Sequence, residues 1–292
     1  MPKNNNLPIM LYGKQYLGIL QTVFAVKAGF SAALAPLQVL DGVSHNKKAF
    51  TVKTNGTPVV IGDYKTGKND VFGDGSGADN RFGKLTEVIY DDLEVDYDYT
   101  LAIREGIDRY TVNNGLEAAI AERFKLQSEA QVRKASKRIG AFINTVAGKT
   151  IALADLTEPS ILKVFNEVAA YYTDNEVDAP VTAYVRQEVA NAIVDFAGTT
   201  AAKGSSVSVD ENGVVRYKGF TIKPEPKGYF DGGAVINFVP NGIILPFIGV
   251  NTARTIESIA FDGVELQAAA RGGQYVSDDN KLAIVKVTGT IV

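Results

Sequence analysis

Two alternating runs that flank a glycine-rich segment constrain the fold of this chain most strongly. Residues 49–61 (AFTVKTNGTPVVI) and 85–103 (LTEVIYDDLEVDYDYTLAI) alternate apolar with polar side chains and are rich in β-branched residues, which is typical of strands. The segment between them has six glycines and too few apolar side chains to offset the entropy of ordering it. We therefore predict two long strands joined by a flexible tip, whose glycines include Gly67, Gly73, Gly75 and Gly77.

A two-stranded ribbon of this kind is marginally stable in water on its own. Three strands or a packed apolar face are usually needed for independent stability. We therefore expect the ribbon to lie on another surface. The alternative is an ordinary hairpin within a larger sheet that carries a long turn, although long structureless loops are uncommon in compact domains.

A long amphipathic helix is predicted over residues 115–147. Its apolar residues recur mostly at steps of three and four, which is the spacing of one helix face. They are Leu116, Ile120, Phe124, Val132, Ala135, Ile139, Phe142, Ile143 and Val146. Asn113 or Asn114 is suited to cap the start of the helix, and Gly148 its end. At 1.5 Å per residue the helix would be roughly 50 Å long, which is more than a compact domain of this size usually needs.

Shorter helices and strands are expected after the long helix. They are a helix at 155–173 that begins at Thr157 and Pro159, a strand passing into a helix at 181–196, a hairpin at 205–222, strand pieces at 234–250 and a strand at 281–292. The hairpin is expected to turn at Glu211-Asn212-Gly213, because Asn-Gly favours the positive φ angles of a tight turn, and to end at Pro224 and Pro226. The chain is therefore predicted to be α+β.

The first 45 residues are apolar but follow neither a helical nor a strand period. They could be an arm that packs on another surface, or an element of the chain's own core, and the pattern leaves both open. Lys14 and Lys27 interrupt the apolar stretch before 18 uncharged residues accumulate, which argues against a membrane span. We therefore expect a soluble chain with no membrane partner.

Composition excludes several kinds of chemistry. The chain has no cysteine, which removes disulfides, thiolate metal sites and cysteine nucleophiles, and its net charge of −3 provides no general attraction for nucleic acid. The one histidine, His45, lies in a polar stretch with no marked orienting carboxylate. The run GDGSGADN lacks the Gly-Lys-Ser/Thr ending of a phosphate-binding loop and the carboxylate spacing of a calcium loop. We therefore predict no catalytic, cofactor-binding or metal-binding residue, and no enzyme.

Two groups of charged residues form candidate contact surfaces. Alternation along a strand would place Asp92, Glu94, Asp96 and Asp98 on one face, where like charges repel each other unless cations answer them. The long helix carries four cations in one segment, Arg133, Lys134, Lys137 and Arg138. We predict that the acidic strand meets this basic segment of its own or a neighbouring subunit. The alternative is that both are solvated faces, because exposed ion pairs contribute only ~0–1 kcal/mol each.

The C-terminal region carries short sequence motifs that resemble those of a known family. NTARTIES (251–258), FDGV (261–264), LQ (266–267) and DNK (279–281) closely resemble the C-terminal region of major capsid proteins of tailed bacteriophages that infect Gram-positive bacteria. The predicted order of arm, ribbon, long helix and mixed lobe is similar to the tailed-phage capsid fold of the Hong Kong ninety-seven type. The resemblance covers nearly the whole chain and is most specific between residues 249 and 286.

The resemblance implies a domain organisation. Residues 1–45 would be the N-terminal arm, 46–112 an extended loop that lies over an adjacent subunit, 113–149 the spine helix of the peripheral domain, 150–245 the axial domain, and 246–292 a return to the peripheral domain. It implies pentamers and hexamers of an icosahedral head that encloses double-stranded DNA, located in the virion and assembled in the host bacterial cytoplasm.

The resemblance also implies partners. These are other copies of the chain, a portal and a separate scaffolding protein. Because no long charged helical prefix precedes the arm, scaffolding is expected to be separate or absent. Contact with packaged DNA would be weak and non-specific. An encapsulin-like protein compartment shell is the alternative with the same fold. A secreted adhesin or a tail-tube protein would explain the strands but not the long helix.

Overall fold

The structure is a computed structural model of the chain, and it describes residues 29–40, 47–71, 79–112, 116–196, 208–210 and 213–290. Its contacts divide the chain into two units, one spanning His45–Tyr97 and the other comprising the rest. Helices and strands are mixed along the sequence, as predicted for an α+β chain.

The long predicted helix is present as α1, Leu116–Val146. Its buried face includes Val132, Ala135, Ile139 and Ile143, at the spacing expected for one side of a helix. The two asparagines expected to cap its start lie outside the described residues. After α1 ends, the Gly148 N–H donates to the carbonyl oxygens of Lys281 and Ile284, both at 3.0 Å.

In the described residues three shorter helices follow, α2 (Glu158–Asp174), α3 (Gln187–Asp195) and the single turn α4 (Asp278–Lys281). Thr157 is the extended residue that precedes α2, and Pro159 lies in the first turn, where a proline costs no helical hydrogen bond. The predicted helix at 155–173 and the predicted passage from strand to helix at 181–196 are both confirmed.

The strands of the described residues are, in chain order, β1 (Gln38–Val39), β2 (Lys48–Thr54), β3 (Asp79–Asn80), β4 (Gly83–Lys84), β5 (Asp91–Asp96), β6 (Tyr99–Asp108), β7 (Lys149–Ala152), β8 (Val181–Arg186), β9 (Ser208–Asp210), β10 (Gly213–Tyr217), β11 (Phe220–Glu225), β12 (Ala234–Pro240), β13 (Leu245–Glu257), β14 (Gly263–Tyr275) and β15 (Val285–Thr288).

A seven-stranded mixed sheet, in the order β7-β15-β12-β8-β11-β10-β9, holds the core. Every residue of the central strand β12 is buried, which requires that both faces of the sheet are covered. On one face Ala183 and Val185 of β8 pack in a cluster with residues of α2 and α3, including Phe165. On the other face Tyr184 packs in a second cluster with Ile139 of α1.

Part of the predicted N-terminal arm belongs to the chain's own core. Phe30 is fully buried, with ring centroids 4.9 Å from Tyr184 and 6.1 Å from Phe230. Its N–H donates to Glu225 Oε1 at 3.0 Å, and β1 pairs in parallel with β13. Of the two alternatives left open by the sequence, packing within the chain holds for residues 29–40. The arm before residue 29 lies outside the described residues.

A second sheet has the order β1-β13-β14-β6. β13 and β14 form a long hairpin whose register runs from Leu245↔Tyr275 to Glu257↔Val264. β6 lies along the other side of β14, with a regular register from Tyr99↔Gly272 to Asp108↔Gly263.

Three details of the strand prediction were wrong. The runs at 49–61 and 85–103 are not two long strands, since pairing is confined to β2 with β5 and to β6 with β14. The hairpin at 205–222 contains a second turn at Lys218 and Gly219, both at positive φ, so it has three strands. Pro224 does not end the last of these, because β11 continues to Glu225 and Pro224 is itself in register with Val185 of β8; only Phe220 and Thr221 of β11 are in register with β10, so the proline lies where no donor to that neighbour is needed.

Candidate assembly surface

The described residues of His45–Tyr97, here called the ribbon unit, are built around the antiparallel pair β2 and β5. The register places Phe50 opposite Val95 and Val52 opposite Leu93, so these four side chains share one face. The other face carries charged side chains. The ribbon unit therefore has one apolar face and one charged face.

Lysines of the same ribbon unit form ion pairs with three of the four predicted acidic residues. Lys53 Nζ lies 2.5 Å from Asp92 Oδ1, Lys47 Nζ lies 3.0 Å from Asp96 Oδ2, and Lys48 pairs with Glu94. All six side chains are substantially exposed, so each pair contributes only ~0–1 kcal/mol. The repulsion expected along β5 is thus relieved without the basic segment of α1.

Asp98 does not share a strand with the other three acids. β5 ends at Asp96, and the Asp98 N–H donates to the carbonyl oxygen of Gly272 at 3.0 Å, immediately before β6 begins. The prediction of one acidic face over 92–98 was therefore wrong at its last residue, because the pairing partner of the chain changes between β5 and β6.

The four basic residues of α1 have different surroundings. Arg133 lies 3.7 Å from Glu129, one turn earlier in the helix. The Arg138 guanidinium stacks 3.5 Å from the centre of the Tyr99 ring; burial raises the pKa of that phenol, and the guanidinium opposes the rise. Lys134 and Lys137 are exposed and have no ion-pair partner in the described parts of the chain. The predicted contact between α1 and the acidic strand stays a prediction.

Extended apolar segments continue from both strands of the ribbon. Seven of their side chains are 55–92% exposed: Val59, Val60, Ile61, Leu85, Val88, Ile89 and Tyr90. The β2–β5 register stops at Thr54↔Asp91; continued, it would place Gly56 opposite Ile89 and Pro58 opposite Glu87. Glycine weakens a strand and proline cannot donate to it, so the pairing ends there and the apolar side chains stay in solvent.

The predicted flexible tip is only partly described. Gly67 precedes a short 3₁₀ turn at Lys68–Asp70, and a two-residue hairpin of β3 with β4 follows. The Lys65 N–H donates to the Arg81 carbonyl oxygen at 2.9 Å, which ties the two sides together. Gly73, Gly75 and Gly77 lie outside the described residues.

The end of the β13–β14 hairpin is fixed by charged contacts that the sequence did not reveal. Arg109 reaches Glu257 Oε2 at 2.9 Å and Asp262 Oδ1 at 3.2 Å. Next to this clamp the side chains of Ile259 and Tyr110 are almost fully exposed. The alternation of apolar and polar residues along the two strands could have predicted the position of the turn. The exposure of an apolar side chain at that turn cannot be predicted from a single sequence.

A buried carboxylate links the same hairpin to β6. Glu265 accepts hydrogen bonds from Arg104 Nε at 2.8 Å, Gln267 Nε2 at 3.1 Å and Ser258 Oγ at 3.1 Å. These donors, with Arg104 first, lower the pKa of Glu265 to about 2. The carboxylate is therefore charged over the whole physiological range and holds the two strands together.

Two other kinds of site are absent from the described residues. No group of three or more His, Asp or Glu side chains is arranged to hold a metal ion there. No helix in the described ranges has the length and apolar character needed to cross a membrane.

Comparison with known proteins identifies the fold. No protein-family model and no curated protein matches the sequence. Among solved structures, the capsid of cyanophage P-SCSP1u aligns at a TM-score of 0.64 and 10% identity, covering 91% of this chain and 89% of that chain. The mature capsid of bacteriophage PhiM1 aligns at 0.61 and 10% identity, covering 90% and 87%.

The virus-like particle from Pyrococcus furiosus aligns at a TM-score of 0.52 and 11% identity, covering 95% of this chain and 100% of that chain. At these identities the likeness concerns the fold alone. The chain has the phage capsid fold over nearly its whole length, which confirms the fold expected from the C-terminal resemblance.

Proposed function

We propose that this chain is a structural major capsid protein, which self-assembles into the pentamers and hexamers of an icosahedral phage head enclosing double-stranded DNA. The observation that carries the proposal is the agreement of fold with two phage capsid proteins over about nine tenths of each chain. In this proposal the protein is a part of the virion, assembles in the host bacterial cytoplasm, and meets a portal and a separate scaffolding protein.

The exposed apolar segments of the ribbon unit support self-association. Apolar side chains lose free energy when they leave water, at about 25 cal/mol per Å² of surface. A stable interface needs about 800 Å² from each partner. Seven apolar side chains on two extended segments supply a substantial part of such an area, and closed symmetry would limit the growth of the assembly.

The domain roles follow from the same proposal. The ribbon unit would be the extended loop that lies over an adjacent subunit, α1 the spine of the peripheral domain, and residues 150–245 the axial domain at the symmetry axes. The last residues, 246–292, would return to the peripheral domain. The DNA would touch the shell only weakly and without sequence preference, because the chain has a net charge of −3.

The basic segment of α1 and the acidic strand form a further part of the proposal. Lys134 and Lys137 would meet acidic residues of a neighbouring subunit. Reversing both charges with Lys134→Glu and Lys137→Glu should lower the particle yield and change its dependence on salt. The matched control is Lys125→Glu with Lys163→Glu, which changes the net charge equally at exposed helical lysines elsewhere. Equal behaviour of the two double variants would contradict the contact.

An encapsulin-like protein compartment shell is the second candidate. It is favoured by the likeness to the Pyrococcus furiosus particle, which extends over the whole of that chain. The higher TM-scores with the two phage capsids favour the first candidate.

Expression of the protein alone, followed by negative-stain microscopy, tests the proposed function. Closed particles, sheets or rings of subunits are expected. A monodisperse monomer at every concentration would contradict assembly. Particles recovered from cells that co-express the phage packaging proteins should contain double-stranded DNA, whereas a compartment shell would contain protein cargo.

A further inference from the structure

Residues 85–90 (LTEVIY) are a strand-like segment without a strand partner in the described part of the chain. All six residues are exposed, and the segment contains neither glycine nor proline. It leads directly into β5, so its last residue, Tyr90, adjoins a strand that is already extended. Its natural partner across the ribbon carries Gly56 and Pro58 and does not pair with it. The segment is therefore a strand prepared for pairing elsewhere.

The outer edge of β6 offers the complementary feature. β6 is the last strand of its sheet and pairs only with β14 among the described residues. On an edge strand, every second N–H and C=O points away from its partner and remains available. Proteins usually protect such an edge with lysine, proline or a bulge. β6 (YTLAIREGID) has neither residue, and its register with β14 is free of shifts, so the edge is long and regular.

We infer that residues 85–90 of one copy add as a strand to the β6 edge of a second copy. Six residues extend about 20 Å and the ten residues of β6 about 33 Å, so the edge accommodates the whole segment. Strand addition satisfies backbone groups on both partners, and it positions the exposed Val88, Ile89 and Tyr90 for burial.

The stoichiometry favours a second copy as the partner. Each copy supplies one donor segment and one acceptor edge, which are different surfaces, so the contact is head-to-tail. In a closed ring of such contacts, residues 85–90 of every copy pair with the β6 edge of the next copy. A partner of another kind would need to cover both features separately.

This inference rests on the proposed function, and cysteine cross-linking distinguishes the failure of one from the failure of the other. The chain has no cysteine, so each introduced thiol is unique. Ala102→Cys or Thr100→Cys in β6 would be co-expressed with a differently tagged Val88→Cys, Ile89→Cys or Tyr90→Cys variant. Assembled particles would then be oxidised and the cross-linked hetero-dimers quantified. A disulfide requires Cα atoms about 4.4–6.8 Å apart, which neighbouring strands provide.

At least one of these combinations should cross-link several-fold more than the control, Ile259→Cys with the same ribbon variant. Ile259 is more exposed than these ribbon side chains, so accessibility does not limit the control, but it lies at a hairpin end. Particles that form normally without any excess over the control would overturn the strand addition while leaving the proposed function intact. Failure of the unsubstituted protein to assemble would instead contradict the proposed function.

Discussion

The seven-stranded sheet and the ribbon unit differ in how far their apolar strand residues are covered. Every residue of the central strand β12 is buried between two helical layers. In the ribbon unit, Val59 and Ile61 are 90% and 92% exposed although both are typical strand residues. The sheet pairs within the chain, whereas the ribbon unit exposes apolar side chains that nothing in the described residues covers.

The difference originates in the partner of each strand and not in apolar content. β12 has a neighbour on each side, β8 and β15, and helices above and below. The segments that continue β2 and β5 have no such neighbour among the residues that the structure describes, because Gly56 and Pro58 stop the pairing between them. Apolar strand residues are therefore buried in one region and exposed in the other.

The largest expected effect is the loss of one buried ring. Phe165 is fully buried and packs edge-on against Phe238 at 5.0 Å between centroids, so Phe165→Ala should cost about 3–5 kcal/mol of unfolding free energy. The matched change Phe82→Ala removes a ring that is 82% exposed and should change stability by less than about 1 kcal/mol. Chemical denaturation of the unassembled subunit measures both. Equal losses would contradict the proposed contrast between the regions.

A smaller effect is expected from adding one methyl group. A Cβ on Gly140 of α1 would collide with the carbonyl oxygen of Tyr229, so Gly140→Ala should destabilise by about 1–3 kcal/mol although alanine is the better helix former. Nothing lies within 4 Å of a Cβ added at Gly56, so Gly56→Ala should be almost neutral. Thermal unfolding of the two variants measures both effects. A neutral Gly140→Ala would contradict the close contact between α1 and the Tyr229 backbone.

Repairing the ribbon should weaken assembly. Gly56→Val with Pro58→Thr supplies the missing strand partner, so residues 85–90 should pair within their own chain and be lost to other subunits. We expect the apparent assembly constant to fall about tenfold, which corresponds to about 1.4 kcal/mol. Light scattering during assembly measures it, with Gly56→Ala as the control. Unchanged assembly with an extended ribbon would contradict a role for these residues.

The ion pair of Glu265 with Arg104 should make the stability of the fold depend on pH. The folded-state pKa of Glu265 is about 2, below the ordinary value of 4.5, mainly because Arg104 donates to the carboxylate. Its contribution to stability is therefore complete above pH 4.5 and is lost as the pH falls toward 2. Glu265→Gln and Arg104→Gln should both flatten this part of the stability profile. Denaturation between pH 5 and about 2 measures the slope; an unchanged slope in both variants would exclude this pair as its source.

Local periodicity predicted the helices well. The burial of Val132, Ile139 and Ile143 follows from steps of three and four, and Thr157 marks the start of α2 by its residue type. The short sequence motifs of the C-terminal region indicated the fold correctly. These features depend on residues that are close in sequence.

Features set by distant partners could not be predicted in the same way. The end of the β2–β5 pairing at Thr54 depends on which residues lie opposite Gly56 and Pro58. The lysine partners of Asp92 and Glu94 depend on the β2–β5 register. The burial of Phe30 depends on Glu225 and Tyr184, almost 200 and more than 150 residues away. A single sequence specifies such pairs only after the topology is known.

Hydrogen exchange of the ribbon segments in unassembled subunits and in assembled particles tests the central claim most directly. The amides of residues 59–61 and 85–90 should exchange rapidly in the unassembled subunit and become strongly protected in particles, while those of β12 are protected in both. Equal and rapid exchange of the ribbon segments in both states would contradict the account, because assembly would then leave the exposed apolar segments uncovered.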